Sequence, residues 1–230
     1  MAMITDGALF RLLAWLSPAY PVGAYTYSHG LEWAVDSGLV RDRAGLEAWL
    51  DTVLRHGGGW QDAVLLAHAH RAVTEADELA WRELRALAQA WTPTAELALE
   101  SRAQGEAFAA ASLASWPDPG GRLADLLDDG PGLTYPLAVG AVAAAHGVPL
   151  ARLLPAYLQA FAANLISAAV RAVPLGQTDG QRALAAVEPV VAEVAVKAQD
   201  CPLDDLGTAT LMVDYCSMRH ETQYTRLFRS

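Results

Sequence analysis

The chain has 230 residues, 53% of them hydrophobic, and carries 26 acidic against 16 basic side chains, for a formal net charge of −10. That apolar content is enough to form a sizeable core in one large domain or two small ones, and it argues against intrinsic disorder. Because nucleic acids and anionic membranes attract basic surfaces, the negative charge argues against both as partners.

The cysteines and the N-terminal sequence bear on cellular location. Two cysteines, Cys201 and Cys216, in a chain of this length are typical of a reduced compartment. The N-terminal segment has no basic region and includes Asp6 and Arg11, which is not the pattern of a signal peptide. The most apolar run, Pro155–Val173, contains polar residues and predicts a buried helix rather than a membrane span. We expect a cytoplasmic protein.

Apolar residues recur at helical spacing along most of the chain, and strand-like alternation is nearly absent. The predicted helices are Gly7–Leu16, Ser28–Ser37, Arg43–His56, Gln61–Val73, Glu75–Trp91, Thr94–Ser115, Tyr135–His146, Leu150–Val173, Gln181–Ala198 and Leu206–Glu221. Within the ninth, Pro189 either kinks one helix or starts a second. Turns rich in Pro and Gly separate the helices, and no linker suggests a domain boundary. We therefore predict an all-α, single-domain bundle of about ten helices spanning residues 1–230.

Ser17–Glu32, SPAYPVGAYTYSHGLE, is the first unusual segment, and we call it the N-terminal turn. Its two prolines restrict the backbone, and Gly23 permits a sharp turn. Ser28 is placed to cap the helix that carries Glu32. The segment is either a rigid turn packed by its tyrosines or a surface loop that presents residues such as Tyr25 to a partner.

Two polar faces lie on otherwise apolar helices. Glu96, Glu100 and Gln104 follow at i, i+4 and i+8, which by itself predicts a solvated stripe. Asn164, Ser167 and Arg171 line one side of the most apolar helix, and the turn after it contains Gln177. A buried polar group without a partner costs about 1–3 kcal/mol. We therefore expect the second stripe to form an internal hydrogen-bond network that ties neighbouring helices together.

The sequence lacks the common motifs for catalysis, nucleotide binding and metal binding. There is no P-loop, no G-x-S-x-G, no C-x-x-C and no H-E-x-x-H. Cys216 and His220 lie at i, i+4, but two ligands without a third favour a core cysteine over a metal site. We predict no catalytic residues, no metal site and no cofactor.

The last thirteen residues, Met218–Ser230 (MRHETQYTRLFRS), form what we call the tail. Three arginines against one glutamate give it a formal charge of +2 on an acidic chain. If helical, it would show Tyr224, Leu227 and Phe228 as one apolar strip. Arginine beside aromatic residues is enriched at interface hot spots. The alternatives are a frayed terminus and a tail docked on its own domain.

Four segments, in this order along the chain, resemble the UreF family of urease accessory proteins. They are the N-terminal turn with its YSHGLE sequence, Glu100–Gly105 (ESRAQG), Ser167–Gln181 (SAAVRAVPLGQTDGQ) and the tail. In the first, Ala24-Tyr25 stands where the family often has Gly-Phe. Their order, which spans most of the chain, makes the resemblance specific.

The resemblance implies an all-helical, homodimeric cytoplasmic adaptor without a catalytic site. It would act with the UreD (or UreH) scaffold and the UreG GTPase in GTP-dependent nickel insertion into apo-urease, and its tail would bind UreD. The expected partner contacts are Arg219, His220, Glu221, Tyr224, Arg226, Leu227, Phe228 and Arg229 in the tail, and Tyr25, Ser28 and Glu32 in the N-terminal turn.

A different class of function stays open on composition alone. Seven tryptophans and seven tyrosines could line the interior pocket of a helical-bundle enzyme, of heme-oxygenase-like or thiaminase-like type. That alternative predicts a small molecule bound inside the bundle, whereas the adaptor predicts a protein without a bound cofactor.

Overall fold

The computed structural model describes residues 4–118, 120–128, 130 and 132–230. Within those residues there are eleven α-helices and no β-strand, which confirms the predicted all-α bundle. The helices are α1 (Asp6–Trp15), α2 (Leu31–Asp36), α3 (Arg43–His56), α4 (Gly58–Glu75), α5 (Glu78–Ala90), α6 (Ala95–Ser115), α7 (Leu123–Asp128), α8 (Tyr135–Ala145), α9 (Leu150–Ala172), α10 (Gln177–Gln199) and α11 (Leu211–His220). Two 3-10 turns, Ala24–Thr26 and Leu203–Asp205, lie between them.

Several helix limits differ from those predicted. The prediction omitted α7, and α10 begins at Gln177 and continues through Pro189 as one helix. The second helix starts at Leu31 rather than Ser28, because His29 and Gly30 both have positive φ angles, 57° and 76°. Such left-handed backbone cannot continue an α-helix.

Side chains cap four helices at their N-termini. The side chains of Thr5, Asp42, Asp77 and Thr94 each accept a hydrogen bond from a main-chain N–H in the first turn of α1, α3, α5 and α6. These bonds satisfy donors that the helix itself cannot pair. The polar residues that directly precede these apolar runs therefore determine where the four helices begin.

The core is built around α8, which is buried along nearly its whole length between α4 and α6. Gly140 permits this close approach: a Cβ there would lie 2.7 Å from the main-chain oxygen of Leu66 in α4. Next to this layer, α9 packs against α10, and α10 against α3.

Among the described residues, α9 is the one helix long and apolar enough to cross a membrane by length and composition. Half of it is buried within the fold, where Leu153, Leu154 and Leu158 are inaccessible to solvent. It is therefore placed as a core helix, as its polar residues predicted.

One end of the bundle brings distant parts of the chain together. There α11 packs against both α2 and α6, and α9 packs against the 3-10 turn Ala24–Thr26. The N-terminal turn and the tail meet at this end, so it is where the candidate site lies.

Candidate functional site

His220, the last residue of α11, links three helices at the centre of this site. Its imidazole is 0% exposed, with Nδ1 2.7 Å from Glu96 Oε2 on α6 and Nε2 2.9 Å from Glu32 Oε2 on α2. A carboxylate can only accept hydrogen bonds, so this pairing is complete when both ring nitrogens carry hydrogen.

The same two carboxylates also hold the tail. Glu32 Oε1 accepts a hydrogen bond from Leu227 N at 2.6 Å, and Glu32 Oε2 accepts one from Phe228 N at 3.0 Å. Arg226 Nη1 donates to Glu96 Oε1 at 3.0 Å. The tail is therefore attached to its own domain through charge-assisted hydrogen bonds, which are stronger than neutral ones.

The end of the tail runs beside the N-terminal turn. Arg229 N donates to the Thr26 main-chain oxygen at 2.7 Å, and both the N–H and the hydroxyl of Ser28 donate to the Ser230 main-chain oxygen. Ser230 Oγ in turn donates to Glu100 Oε2 at 2.6 Å. Glu100 is thus a third buried carboxylate that anchors the tail.

The polar stripe on α9 contacts the N-terminal turn and the tail rather than tying neighbouring α-helices together. Asn164 Nδ2 donates to the Ala24 main-chain oxygen at 3.0 Å, and Arg171 Nη2 donates to that of Tyr25 at 2.7 Å. The Arg171 guanidinium also lies over the Phe228 ring, 4.4 Å from its centroid. Phe228 is buried, at 5% exposure, beneath this cation.

The other two residues grouped with that stripe contribute less to holding the N-terminal turn and the tail. Ser167 is exposed, and its main-chain oxygen accepts a hydrogen bond from Arg171 Nε at 3.1 Å. Gln177 is exposed at the first position of α10. Arg171 is itself exposed, so the stripe lies at the rim of the bundle rather than inside it.

The predicted apolar strip on a helical tail is wrong. The helix α11 ends at His220, and the tail then runs irregularly along the domain. Tyr224 is fully exposed and Leu227 is 69% exposed, whereas Phe228 is buried. The Leu227 and Phe228 main-chain N–H groups bind the Glu32 carboxylate instead of helical carbonyl oxygens, and one of the two side chains is exposed while the other is buried.

The expected partner contacts therefore divide into two groups. Those exposed are Arg219, Glu221, Tyr224, Arg226, Leu227, Arg229 and Tyr25; those buried within the chain are Ser28, Glu32, His220 and Phe228. The buried group holds the tail in place, and only the exposed group is available to another protein.

The solvated stripe predicted on α6 is also wrong, because Glu96, Glu100 and Gln104 are all buried under the tail and the N-terminal turn. Sequence spacing placed them on one helix face but carried no signal for what covers that face. Cys216 is buried as well, and burial raises the pKa of its thiol to about 11. Since both nitrogens of His220 face carboxylates, the Cys216–His220 pair does not present two free ligands.

Comparison with known proteins identifies the chain's relatives. The sequence profile of the UreF family matches residues 40–188. The urease accessory protein UreF of Rhodopseudomonas palustris strain BisB5 is 55% identical over 98% of this chain and 92% of its own length. Those of Bradyrhizobium sp. strain BTAi1 and Methylobacterium sp. strain 4-46 are each 52% identical, over 100% and 95% of this chain and 95% and 87% of their own lengths.

The chain belongs to the UreF family.

The four segments that resemble UreF proteins come together at this one site. The N-terminal turn contributes Ser28 and Glu32, the second segment Glu100 and the third Arg171, and each of these residues contacts the tail. The UreF resemblance was therefore carried by residues that are far apart in sequence and adjacent in space.

The outer side of α11 also exposes apolar residues. Leu211, Met212, Tyr215 and Met218 are each about half exposed or more, close in sequence to the exposed Tyr224 and Leu227. The guanidinium of Arg219 lies 5.9 Å from the Trp33 ring at the edge of this surface. In this UreF-family chain, buried ionic hydrogen bonds therefore hold the site together from beneath. Its outer surface is apolar and is bordered by arginine.

Proposed function

We propose that this chain is a urease accessory protein that works as an adaptor without catalytic chemistry of its own. With UreD (or UreH) and UreG, in the cytoplasm, it promotes GTP-dependent nickel insertion into apo-urease. The observation that carries the proposal is the identity of more than 50%, over nearly the whole chain, to proteins named urease accessory protein UreF. These names do not favour the helical-bundle enzyme considered from composition.

We further propose that the exposed part of the tail and the outer side of α11 form the surface that binds UreD. Apolar and aromatic side chains edged by arginine are the composition of interface hot spots. The contacts with Glu32, Glu96 and Glu100 already order the tail main chain, so binding would cost less conformational entropy than it would with a disordered tail. Tyr224 and Leu227 are the proposed anchors.

Substitution of the two anchors is a better test of whether this surface binds UreD than truncation of the tail. Removing the whole tail would deprive three buried carboxylates of their partners in the tail and would damage the fold. In Tyr224→Ala/Leu227→Ala, only exposed atoms are lost, so we expect co-purification with the UreD homologue to fall at least tenfold with an unchanged melting temperature.

Leu79→Ala is the matched control, since Leu79 is equally exposed but lies on α5. It should bind UreD like the unsubstituted protein. Undiminished UreD binding by the double variant would rule out the tail as the docking surface and leave the accessory role itself untouched.

The accessory role has its own test in cells. In a strain that lacks this protein, a plasmid copy should restore urease activity and the nickel content of purified urease. Urease that stays inactive and nickel-free despite expression of the plasmid copy would contradict the role. The homodimer also remains a proposal, and light scattering of the purified chain would give its mass.

A further inference from the structure

An interior cavity of about 230 Å³ lies beside the tail anchor, between the N-terminal turn and helices α4, α6, α8 and α9. By area its wall is mainly apolar, and the polar and aromatic side chains in it include Tyr20, His29, Asp62, Glu100, Thr134, Tyr135 and Tyr157. A largely apolar cavity with a few converging polar groups is the usual form of a small-molecule site.

His29 is held in the wall by two unusual backbone features. Its own φ angle is 57°, a left-handed conformation that is rare outside glycine. Opposite it, Gly58 leaves room for the ring, since a Cβ there would lie 2.6 Å from His29 Nε2. The Phe161 ring meets the imidazole edge-on at 5.5 Å. Strained backbone of this kind is concentrated at functional sites.

Two polar groups in this wall have unused hydrogen-bonding capacity. His29 Nδ1 is 3.8 Å from Glu100 Oε2, too far for a direct hydrogen bond. The Thr134 hydroxyl belongs to a residue that is only 5% exposed. Within the described part of the chain, neither atom has a hydrogen-bond partner. Buried polar groups are nearly always paired, so these two point to a bound molecule or water.

The charge of the cavity indicates the sign of that molecule. Among the described residues, Asp62, Glu100 and Asp214 line it, and His29 is the one basic side chain in its wall. The Asp62 carboxylate accepts a hydrogen bond from Tyr157 OH at 2.7 Å. Burial raises the pKa of Asp62 to about 7, a cost that a nearby cation would offset.

The lining also indicates what kind of cation fits. Among the described residues, no three histidine, cysteine, aspartate or glutamate side chains converge as metal ligands. Instead, the rings of Tyr135 and Tyr157 stand 5.5 Å apart in the same wall as Asp62. Aromatic faces beside a carboxylate are how proteins recognise ammonium groups.

We propose that this cavity binds a small organic ammonium compound, with its charged head between Asp62 and the rings of Tyr135 and Tyr157. The site is separate from the UreD-binding surface, so neither proposal depends on the other. Asp62 is the residue to substitute, because Glu100 also holds the tail through Ser230.

The test is calorimetric titration of the purified full chain with three probes: butylammonium, its neutral isostere 1-butanol, and Ni²⁺. We expect saturable binding of butylammonium, and at least tenfold weaker binding of 1-butanol. Asp62→Asn should weaken butylammonium binding at least tenfold. Asp36→Asn, which removes an exposed carboxylate on α2, should change it less than twofold.

A pH series on the unsubstituted protein tests the same charge pairing without depending on a variant that folds. Affinity for butylammonium should rise about tenfold from pH 6 to pH 8 as Asp62 ionises. His29, Glu100, Tyr135, Tyr157 and Asp214 face the same cavity. Loss of the His29 proton would act in the same direction. Equal binding of 1-butanol, binding of Ni²⁺ alone, or no saturable binding of any probe would overturn the proposal.

Discussion

At the residue scale, His220 is the most consequential side chain of the candidate site. It is buried between two carboxylates, each of which also binds the tail. Burying charged groups is unfavourable, and the mutual pairing of imidazole, carboxylates and guanidinium is what offsets that cost here. Loss of one member therefore leaves the others buried with fewer partners.

Replacement of His220 by alanine is expected to lower the free energy of unfolding by about 3–5 kcal/mol, because Glu32 and Glu96 would lose their shared partner. Denaturant titration followed by circular dichroism measures this directly. His56→Ala is the control, since His56 is exposed at the end of α3, and its cost should be close to zero. Equal stabilities of the two variants would show that the network contributes little.

Asp62 should make stability depend on pH. Its pKa is raised by burial to about 7, above the ordinary value of 3.8, so the folded chain binds more protons than the unfolded chain between those pH values. Stability contributed by the protonated carboxyl is therefore present at low pH and is lost as pH rises through about 7. His29, whose pKa is also raised on balance although burial alone lowers it, changes stability in the same direction.

Comparison with Asp62→Asn isolates that contribution. Since asparagine does not ionise, the variant should gain about 2–3 kcal/mol relative to the unsubstituted protein between pH 5 and pH 8. Urea titrations at both pH values give the difference, with Asp36→Asn correcting for the loss of one acidic charge. A constant difference between pH 5 and pH 8 would mean that Asp62 is ionised throughout.

At the scale of elements, α6 connects the site to the core. One of its faces presents Glu96 and Glu100 to the tail, and the same helix passes the segment before α8 at Gly105. A Cβ on Gly105 would meet the Leu133 main-chain oxygen and lie 2.6 Å from the Thr134 main-chain carbon. Because these neighbouring atoms all belong to the main chain, no flexible side chain could move aside to make room for the Cβ atom.

Gly105→Ala is accordingly expected to destabilise the fold by about 3 kcal/mol through overpacking. Gly7→Ala is the matched control, because Gly7 lies in α1 with open space around it and should gain up to about 0.5 kcal/mol from helix propensity. Thermal unfolding of both variants would separate the two effects. A tolerated Gly105→Ala would mean that α6 can shift away from α8.

At the scale of the whole molecule, the contrast between a basic tail and an acidic chain affects partner binding. Arg229 is exposed, and the Arg226 side chain is 40% exposed although it pairs with Glu96. If the tail binds UreD as proposed, these cations favour an acidic patch on that partner and accelerate encounter at low ionic strength.

The association rate with UreD should then fall about tenfold between 0.05 and 0.5 M salt, because the screening length shortens to a few ångströms. Arg229→Glu should lower the rate at low salt, whereas Arg41→Glu, a charge reversal on the connection between α2 and α3, should not. Surface plasmon resonance measures both. A rate independent of salt would show that the tail charges do not steer binding.

Much of the fold was predictable because local rules set it. Helical spacing of apolar residues placed most helices near their observed limits, and the family resemblance followed from four ordered segments. The tail was predicted less well. Helical spacing put Leu227 and Phe228 on one strip, but the carboxylate of Glu32, 195 residues away from Leu227, binds their main-chain N–H groups instead.

By itself, the sequence determined the helical class and the family. Only the tertiary structure decided what the residues of the site do: Glu96 and Glu100 anchor the tail instead of facing water, and His29 turns into an interior cavity. The physical reason is that helical spacing and capping are local, whereas buried charges and polar groups are satisfied by whichever partner the packing of distant helices brings within reach.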